Sequence, residues 1–106
     1  MKPIYLRIGK PATLEQAAEE CAELAHALLK EARRLRGENP TPKTAIECRK
    51  DIQEEISDVL LCLQELLKTG YAADPELLED KRQRWHTRLD EAEEKKAAAG
   101  ANTRQL

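Results

Sequence analysis

Apolar residues recur every three or four positions along two long segments of this 106-residue chain. That spacing places them on one face of an α-helix, so both segments are predicted to be amphipathic helices. In the first segment the apolar stripe consists of Leu14, Ala17, Cys21, Leu24, Leu28 and Leu35. In the second it consists of Ile52, Ile56, Val59, Leu60, Leu63, Leu66 and Leu67. A helix cannot bury such a stripe alone, which favours a bundle of helices with these residues in its core.

The ends of the first helix are marked by residues with known terminal preferences. Thr13, followed by Gln16 three residues later, fits the capping box that opens many helices. Gly37 is predicted to end the helix, and Pro40 and Pro42 prevent it from resuming. The first helix is therefore expected from Thr13 to Gly37.

Two further helices follow the proline loop. The second is predicted from about Thr44 to about Thr69, where Gly70 stops it. The third begins at Asp74 and Pro75, an N-cap residue followed by proline at the first helical position. Its apolar residues are Leu77, Leu78, Trp85 and Leu89.

The two ends of the chain are predicted to lie outside the bundle. Apolar residues at alternate positions are typical of an extended strand, and residues 1–12 are interpreted as a short extended arm. The alternating residues are Ile4, Leu6 and Ile8. Residues 13–99 form the predicted helical domain, and residues 100–106 are expected to fray or to be disordered. The predicted fold is all-α, an antiparallel bundle of about three main helices, completed by association with further copies of the chain.

Charge and hydropathy argue against two classes of partner. The chain has 18 Lys and Arg against 20 Asp and Glu, whereas dedicated nucleic-acid-binding proteins carry a strong basic excess. No apolar run approaches the roughly 18 residues of a transmembrane helix, and the first ten residues lack the hydrophobic stretch of a signal peptide. We therefore expect a cytoplasmic protein that binds neither a nucleic acid polymer nor a membrane.

The three cysteines do not suggest a disulfide framework or a zinc site. Their number is odd, and Cys21, Cys48 and Cys62 lack the CxxC spacing of zinc ligands. Cys21 and Cys62 lie in apolar helical register, and we interpret them as small buried hydrophobic residues.

Acidic pairs border both apolar stripes. Glu20 and Glu23 lie on the first helix, and Glu55 and Asp58 on the second. Residues three apart share a helix face, with Cβ atoms about 5–6 Å apart, so each pair can direct two carboxylates at one place. Like charges so placed repel one another. A divalent cation such as Mg²⁺, which prefers carboxylate oxygens, would cancel that repulsion.

An antiparallel arrangement of the first two helices would bring both acidic pairs together. Glu23 lies about 14 residues before Gly37 and Glu55 about 11 residues after Thr44, which are comparable distances at ~1.5 Å per residue. We therefore predict one joint metal site. Its predicted ligands are Glu20, Glu23, Glu55 and Asp58.

These motifs resemble the ExxE and ExxD signature of the MazG-like all-α nucleoside triphosphate pyrophosphohydrolases. The flanking residues 19–28 and 54–60 and the proline loop are also similar to that family, and the resemblance covers roughly Leu14 to Arg88. It implies Mg²⁺-dependent cleavage of an NTP or dNTP between the α and β phosphates, giving a monophosphate and pyrophosphate in nucleotide pool house-cleaning. Mn²⁺ is a possible substitute for Mg²⁺. A homodimer, or else a homotetramer, is expected from the resemblance and from the limited core of three helices.

Further residues are candidates for activating the attacking water or for binding the substrate. Glu19 and Glu54, each four positions before a predicted ligand, either orient or deprotonate the attacking water or are solvated partners of nearby cations. Lys30 continues the face of Glu20 and Glu23. The third helix carries cations at helical spacing, where similar enzymes contact their substrate, and an aromatic residue that either stacks on the base or anchors the core. These further candidates are Lys81, Arg84, Arg88 and Trp85.

Two alternatives were weighed against this function. Glu23-x-x-His26 has the ligand spacing of di-iron carboxylate bundles, but such sites repeat the motif and this chain has one copy. His26 is therefore interpreted as a helix-surface or interface residue. The alternative from another class is a non-catalytic helical interaction module whose acidic faces are solvated.

Overall fold

The computed structural model describes residues 1–37 and 42–105, with side chains as far as residue 101. Its elements are α1 (Ile4–Ile8), α2 (Lys10–Arg36), α3 (Ala45–Lys68) and α4 (Pro75–Gln105). These ranges contain no β-strand, which confirms the all-α prediction for the described residues. Met1–Ala72, with α1 to α3, forms one compact unit, and Ala73–Leu106, with α4, forms a second.

The N-terminal residues are helical, so the predicted extended arm is wrong. Pro3 precedes α1, and its carbonyl oxygen accepts a hydrogen bond from Leu6 N at 3.1 Å. Ile4 and Ile8 occupy alternate positions but are also four apart, a spacing that equally fits one face of a helix. Gly9, with φ of 91°, then ends α1 and allows α2 to start in a new direction.

Helix α2 begins at Lys10, three residues before the predicted start. Thr13 lies inside the helix and is not its N-cap, and its Oγ1 donates a hydrogen bond to the carbonyl oxygen of Gly9 at 2.8 Å. The proposed capping box of Thr13 and Gln16 is therefore wrong, because Gly9 and Pro11 start the helix one turn earlier. The predicted end is confirmed, since Gly37 adopts the left-handed conformation with φ of 70°.

Helix α3 has the predicted start and end. Thr44 Oγ1 accepts a hydrogen bond from Glu47 N at 3.2 Å, and Thr44 N donates to Glu47 Oε1 at 3.2 Å. This reciprocal pair is a capping box. The helix ends at Lys68. Gly70 follows with φ of 98°, a backbone conformation that glycine adopts without steric strain, and the chain turns there.

Helix α4 also begins as predicted. Asp74 Oδ1 accepts hydrogen bonds from Glu76 N at 3.0 Å and Leu77 N at 3.4 Å. The helix continues to Gln105, beyond Gly100, where fraying or disorder was expected. Ala, Glu and Lys dominate residues 91–99, and their high helix propensity accounts for the continuation. Leu106 lies outside the described residues. None of the helices, as far as they are described, is long and apolar enough to cross a bilayer.

The contact between α2 and α3 contains only part of the two apolar stripes that were predicted to form it. The less exposed residues of α2 recur at helical spacing and include Thr13, Ala17, Glu20, Leu24, Ala27, Glu31 and Arg34. Those of α3 include Cys48, Asp51, Ile52, Glu55, Val59, Cys62, Glu65 and Leu66. Glu20 and Glu55 thus lie within the contact instead of at its border, whereas Glu23 is exposed. Residues near the end of α2 oppose residues near the start of α3, so the pair is antiparallel, as predicted.

Most of the predicted core leucines are consequently exposed. On α2 the exposed residues are Leu14, Cys21, Leu28 and Leu35, and on α3 they are Ile56, Leu60, Leu63 and Leu67. Leu60, Leu63 and Leu67 retain 52%, 50% and 59% of their accessible surface. The prediction that Cys21 is buried is wrong, Cys62 is only half-buried, and Cys48 is the buried cysteine. Each helix presents a single narrow face to the other. That face combines Leu24, Ile52, Val59 and Leu66 of the predicted stripes with small and acidic residues, and the rest of both stripes lies outside it.

A buried carboxylate fastens α1 to α3. Glu65 is 5% exposed, and its Oε1 accepts a hydrogen bond from Ile4 N at 2.9 Å. Lys68 Nζ lies 2.9 Å from Glu65 Oε2. The hydrogen bond from Lys68 and the bond from the Ile4 backbone lower the pKa of Glu65 against the opposing effect of burial. This ionised carboxylate therefore replaces an apolar anchor for the N-terminal helix.

We predict that Glu65→Gln lowers the melting temperature by several degrees at neutral pH. Because folding lowers the pKa of Glu65, the ionised group stabilises the fold above the ordinary glutamate pKa, and that contribution is lost as pH falls through the lowered value. The deficit of the variant should therefore shrink in acid. Circular dichroism melts over a pH series measure it, with the exposed Glu15→Gln as control. A deficit independent of pH, or equal to that of the control, would contradict this role.

Candidate metal site and adjoining groove

Three carboxylates from two helices converge in the first unit. One oxygen each from Glu20, Glu23 and Glu55 lies within 4.8 Å of the other two. Glu20 and Glu23 share a face of α2 because they are three residues apart, and the antiparallel packing of α3 brings Glu55 beside them. Three of the four predicted ligands are thus brought together, at a spacing that allows a single cation to contact all three.

Asp58, the fourth predicted ligand, does not join this group. It lies three residues beyond Glu55 on α3 and is half-buried. Its charge nevertheless contributes to raising the pKa of Glu55, so it lies close to the cluster.

The cluster contains carboxylate oxygens without a protein donor. Glu20 Oε1 accepts a hydrogen bond from Gln16 Nε2 at 2.8 Å. Glu20 Oε2 and Glu55 Oε2, in contrast, are shielded from solvent and have no hydrogen-bond partner among the described residues. Such groups cost free energy unless something compensates them. A divalent cation coordinated by these oxygens would provide that compensation, so these carboxylate ligands fit a hard metal ion.

Electrostatics at the cluster disfavour full ionisation. Burial raises the pKa of Glu55, and the negative charges of Glu23, Asp58 and Glu20 raise it further. Burial also raises the pKa of the neighbouring Cys62 thiol, with smaller contributions from Glu20 and Asp58. A raised pKa favours the protonated thiol, which is a poorer metal ligand and nucleophile than a thiolate.

A groove of about 370 Å³ adjoins the carboxylates. This volume is within the range of small-molecule sites. Residues of α2, the start of α3 and the segment before it line the groove, and they are Glu23, His26, Ala27, Lys30, Lys43, Asp51 and Glu55. The predicted substrate residue Lys30 is among them, as is His26, which had been interpreted only as a surface or interface residue.

Two residues of the groove, Lys43 and Asp51, were missed by sequence reasoning. Lys43 Nζ donates a hydrogen bond to Asp51 Oδ2, and this bond and the charge of Asp51 raise the pKa of Lys43. Asp51 shares its helix face with Glu55, four residues on, and this spacing was a usable signal. Lys43 precedes the helix, so no periodicity in the sequence marks it.

Two further predicted residues of the first unit, Glu19 and Glu54, do not belong to the cluster of three. Glu19 and Glu54 are exposed on α2 and α3. The predicted substrate residues Lys81, Arg84, Trp85 and Arg88 lie on α4, in the second unit, and are exposed. Trp85 is 67% exposed and lines a shallow pocket of about 350 Å³ on α4 with Arg82, His86 and Leu89. The exposed Trp85 ring is thus available for stacking.

No protein-family model matches this chain, and neither a curated protein nor a solved structure matches it. Function is therefore inferred from the residues of the cluster and the groove.

We predict that Glu55→Gln raises the melting temperature of the metal-free chain at neutral pH. A carboxyl whose pKa is raised by folding permits full stability below its ordinary pKa and removes stability as pH rises through the raised value. The gain should therefore shrink as pH falls through the raised pKa of Glu55, because the wild-type carboxyl then becomes protonated. Melts in the presence of a chelator measure it, with the exposed neighbour Glu54→Gln as control. A lower melting temperature for Glu55→Gln would contradict the inferred repulsion.

Proposed function

We propose that this chain is a metal-dependent nucleoside triphosphate pyrophosphohydrolase. It would cleave an NTP or dNTP between the α and β phosphates to a monophosphate and pyrophosphate. The observation that carries the proposal is the convergence of Glu20, Glu23 and Glu55 from two helices, with two shielded oxygens lacking a donor, beside a groove that contains lysine. The ExxE and ExxD motifs identified in the sequence support the same function.

Glu20, Glu23 and Glu55 would hold Mg²⁺, or Mn²⁺ in its place, and Asp58 is the nearest further carboxylate on α3. When bound, such an ion neutralises phosphate charge and lowers the pKa of a water molecule. Carboxylates suit this task because they only accept hydrogen bonds when ionised and bind hard cations through oxygen. The raised pKa of Glu55 implies that protons compete with the metal, so affinity should fall in acid.

The groove would receive the phosphates. Lys30 lines it together with Glu23, two helical turns earlier on α2, so its ammonium group can compensate phosphate charge beyond the carboxylates. Glu19 and Glu54 remain candidates for deprotonating the attacking water, and their exposure equally suits solvated residues. We retain the α4 residues as proposed contacts to phosphates and base, namely Lys81, Arg84, Arg88 and Trp85.

Catalytic loss on removal of a ligand tests the proposal. We expect the purified chain to convert at least one NTP or dNTP to monophosphate and pyrophosphate with Mg²⁺ but not with a chelator. Glu20→Gln and Asp58→Asn should lower this rate by about 10²-fold or more, because even outer-shell partners of metal ligands cost 10–100-fold. Chromatography of the nucleotide products measures both, and Glu15→Gln is the matched control on α2.

Absence of turnover for every nucleotide, with no rise in melting temperature on adding Mg²⁺, would favour the non-catalytic interaction module. Full activity in Glu20→Gln would exclude the proposed metal site even if the chain hydrolyses nucleotides.

We also propose that the chain associates with a second copy, with a tetramer as the next possibility. The exposed stripe of Ile56, Leu60, Leu63 and Leu67 recurs at positions three and four apart on α3. A second stripe on α2, from Leu14 to Leu35, repeats every seven residues. Contiguous apolar faces of this kind mark protein interfaces, and a self-complementary stripe suits a two-fold dimer.

Sedimentation should therefore give twice the mass of one chain or more. Leu60→Glu, which introduces a charge into the stripe, should shift the protein to the mass of a single chain without unfolding it. Leu61→Glu is the control, because Leu61 is 49% exposed but lies outside the stripe. A monomeric wild type, or equal behaviour of the two variants, would contradict self-association through α3.

A further inference from the structure

The groove beside the carboxylates separates its charges along the hairpin. Glu23 and Lys30 lie seven residues apart on α2, which is two turns and ~10 Å along the axis. Across the groove, Glu55 lies further along α3 than Asp51, and Lys43 precedes the helix. Both lysines thus lie towards the loop that joins α2 to α3, and the metal-binding carboxylates lie towards the middle of the hairpin. A ligand that carries a cation at one end and anionic groups at the other would match this pattern.

The Lys43–Asp51 ion pair lies at the lysine end of the groove. Both side chains are partly exposed, at 39% and 38%, and water screens a pair of this kind. Such a pair contributes little to stability and can exchange partners at small cost. The nearby N-terminus of α3 is less suited to bind an anion, because Thr44 and Glu47 already cap it with their capping box. The lysine side chains therefore remain the groups suited to an incoming anion.

Resting on the proposed function, we propose that Lys43 binds the phosphates that extend from the metal held by the carboxylates, and that Asp51 is a positioning residue. In the absence of ligand, Asp51 holds Lys43 Nζ at the groove. A phosphate oxygen then replaces the Asp51 carboxylate as the acceptor from Lys43, and Asp51 turns to solvent. The ligand class is a complex of a divalent cation with a polyphosphate.

This exchange gives Lys43 and Asp51 opposite effects on affinity. Loss of Lys43 removes a charge-assisted hydrogen bond to phosphate and should weaken binding. Loss of the Asp51 charge removes one acceptor that competes with phosphate for Lys43 and should strengthen binding. If Lys43 and Asp51 had purely structural roles in the groove, loss of either one would weaken binding.

Calorimetric titration of the full chain with Mg²⁺ alone and then with inorganic pyrophosphate tests the first effect. Lys43→Gln should leave the affinity for Mg²⁺ unchanged and weaken pyrophosphate binding by about tenfold or more, as expected for a hydrogen bond between charged groups. Lys43→Arg should restore most of the affinity. Lys50→Gln is the matched control, because Lys50 is an exposed lysine of α3 that does not line the groove.

A double-mutant cycle tests whether Asp51 acts through Lys43. Asp51→Asn should tighten pyrophosphate binding by a few fold in the wild type and have no effect in the Lys43→Gln background. A gain that persists without Lys43 would show general repulsion of the anion and overturn the positioning role. Weaker Mg²⁺ binding in Asp51→Asn would identify Asp51 as a metal ligand and overturn it as well.

The two proposals fail in different ways. Hydrolysis of nucleotides with equal pyrophosphate affinity in Lys43→Gln and Lys50→Gln would overturn the role of Lys43 and leave the proposed function standing. Lys43-dependent binding of pyrophosphate without hydrolysis of any nucleotide would contradict the proposed function and support the role of Lys43. A wild type that binds no pyrophosphate in the presence of Mg²⁺ would overturn the role of Lys43.

Discussion

Repulsion between carboxylates inside the contact of α2 and α3 is the constraint on which the first unit depends. Glu20 and Glu55 occupy positions of the helix contact that an ordinary hairpin would give to apolar residues. Each has an oxygen that is shielded from water and has no donor within the part of the chain that the structure describes. Burial and like charge both oppose ionisation there, which is why the pKa of Glu55 is raised. A cation would convert the same oxygens from a destabilising group into a bridge between the helices. Folding and metal binding are then linked through one set of atoms.

The same choice of residues explains the exposed leucines. A helix has one narrow face for its neighbour, and here that face is used by small and acidic side chains, with Ala17 and Cys48 as the buried apolar residues. The stripe of Ile56, Leu60 and Leu63 is left on another side of α3. The carboxylate cluster between the helices and the apolar surface outside them are thus two results of the same rotation of the helices. Near the end of α3, the ionised carboxylate of Glu65 likewise takes the place of an apolar residue, and it holds α1 against α3.

Local signals in the sequence predicted most helix ends, because caps act over three or four residues. Gly37, Thr44, Gly70 and Asp74 all lie where their preferences place them. The N-terminal helix was missed since five residues cannot distinguish alternation from helical spacing. The rotation of each helix about its own axis was predicted wrongly. The prediction assumed that the most apolar stripe faces the other helix, but periodicity does not show what a stripe packs against. The acidic cluster was nevertheless found, since its residues pair within each helix. Lys43 could not be found in this way because its place depends on packing between helices.

The capping box at the start of α3 has a consequence for how the chain can vary. Thr44 and Glu47 fix the first residue of the helix by bonds made within four residues, and Lys43 is attached directly to that fixed point. The register of Lys43 against Asp51 is therefore independent of the number of residues that join α2 to α3. Insertions or deletions before Lys43 leave its spacing from Asp51 unchanged, so the connection can diverge in length in descendants of this chain while the Lys43–Asp51 pair is retained.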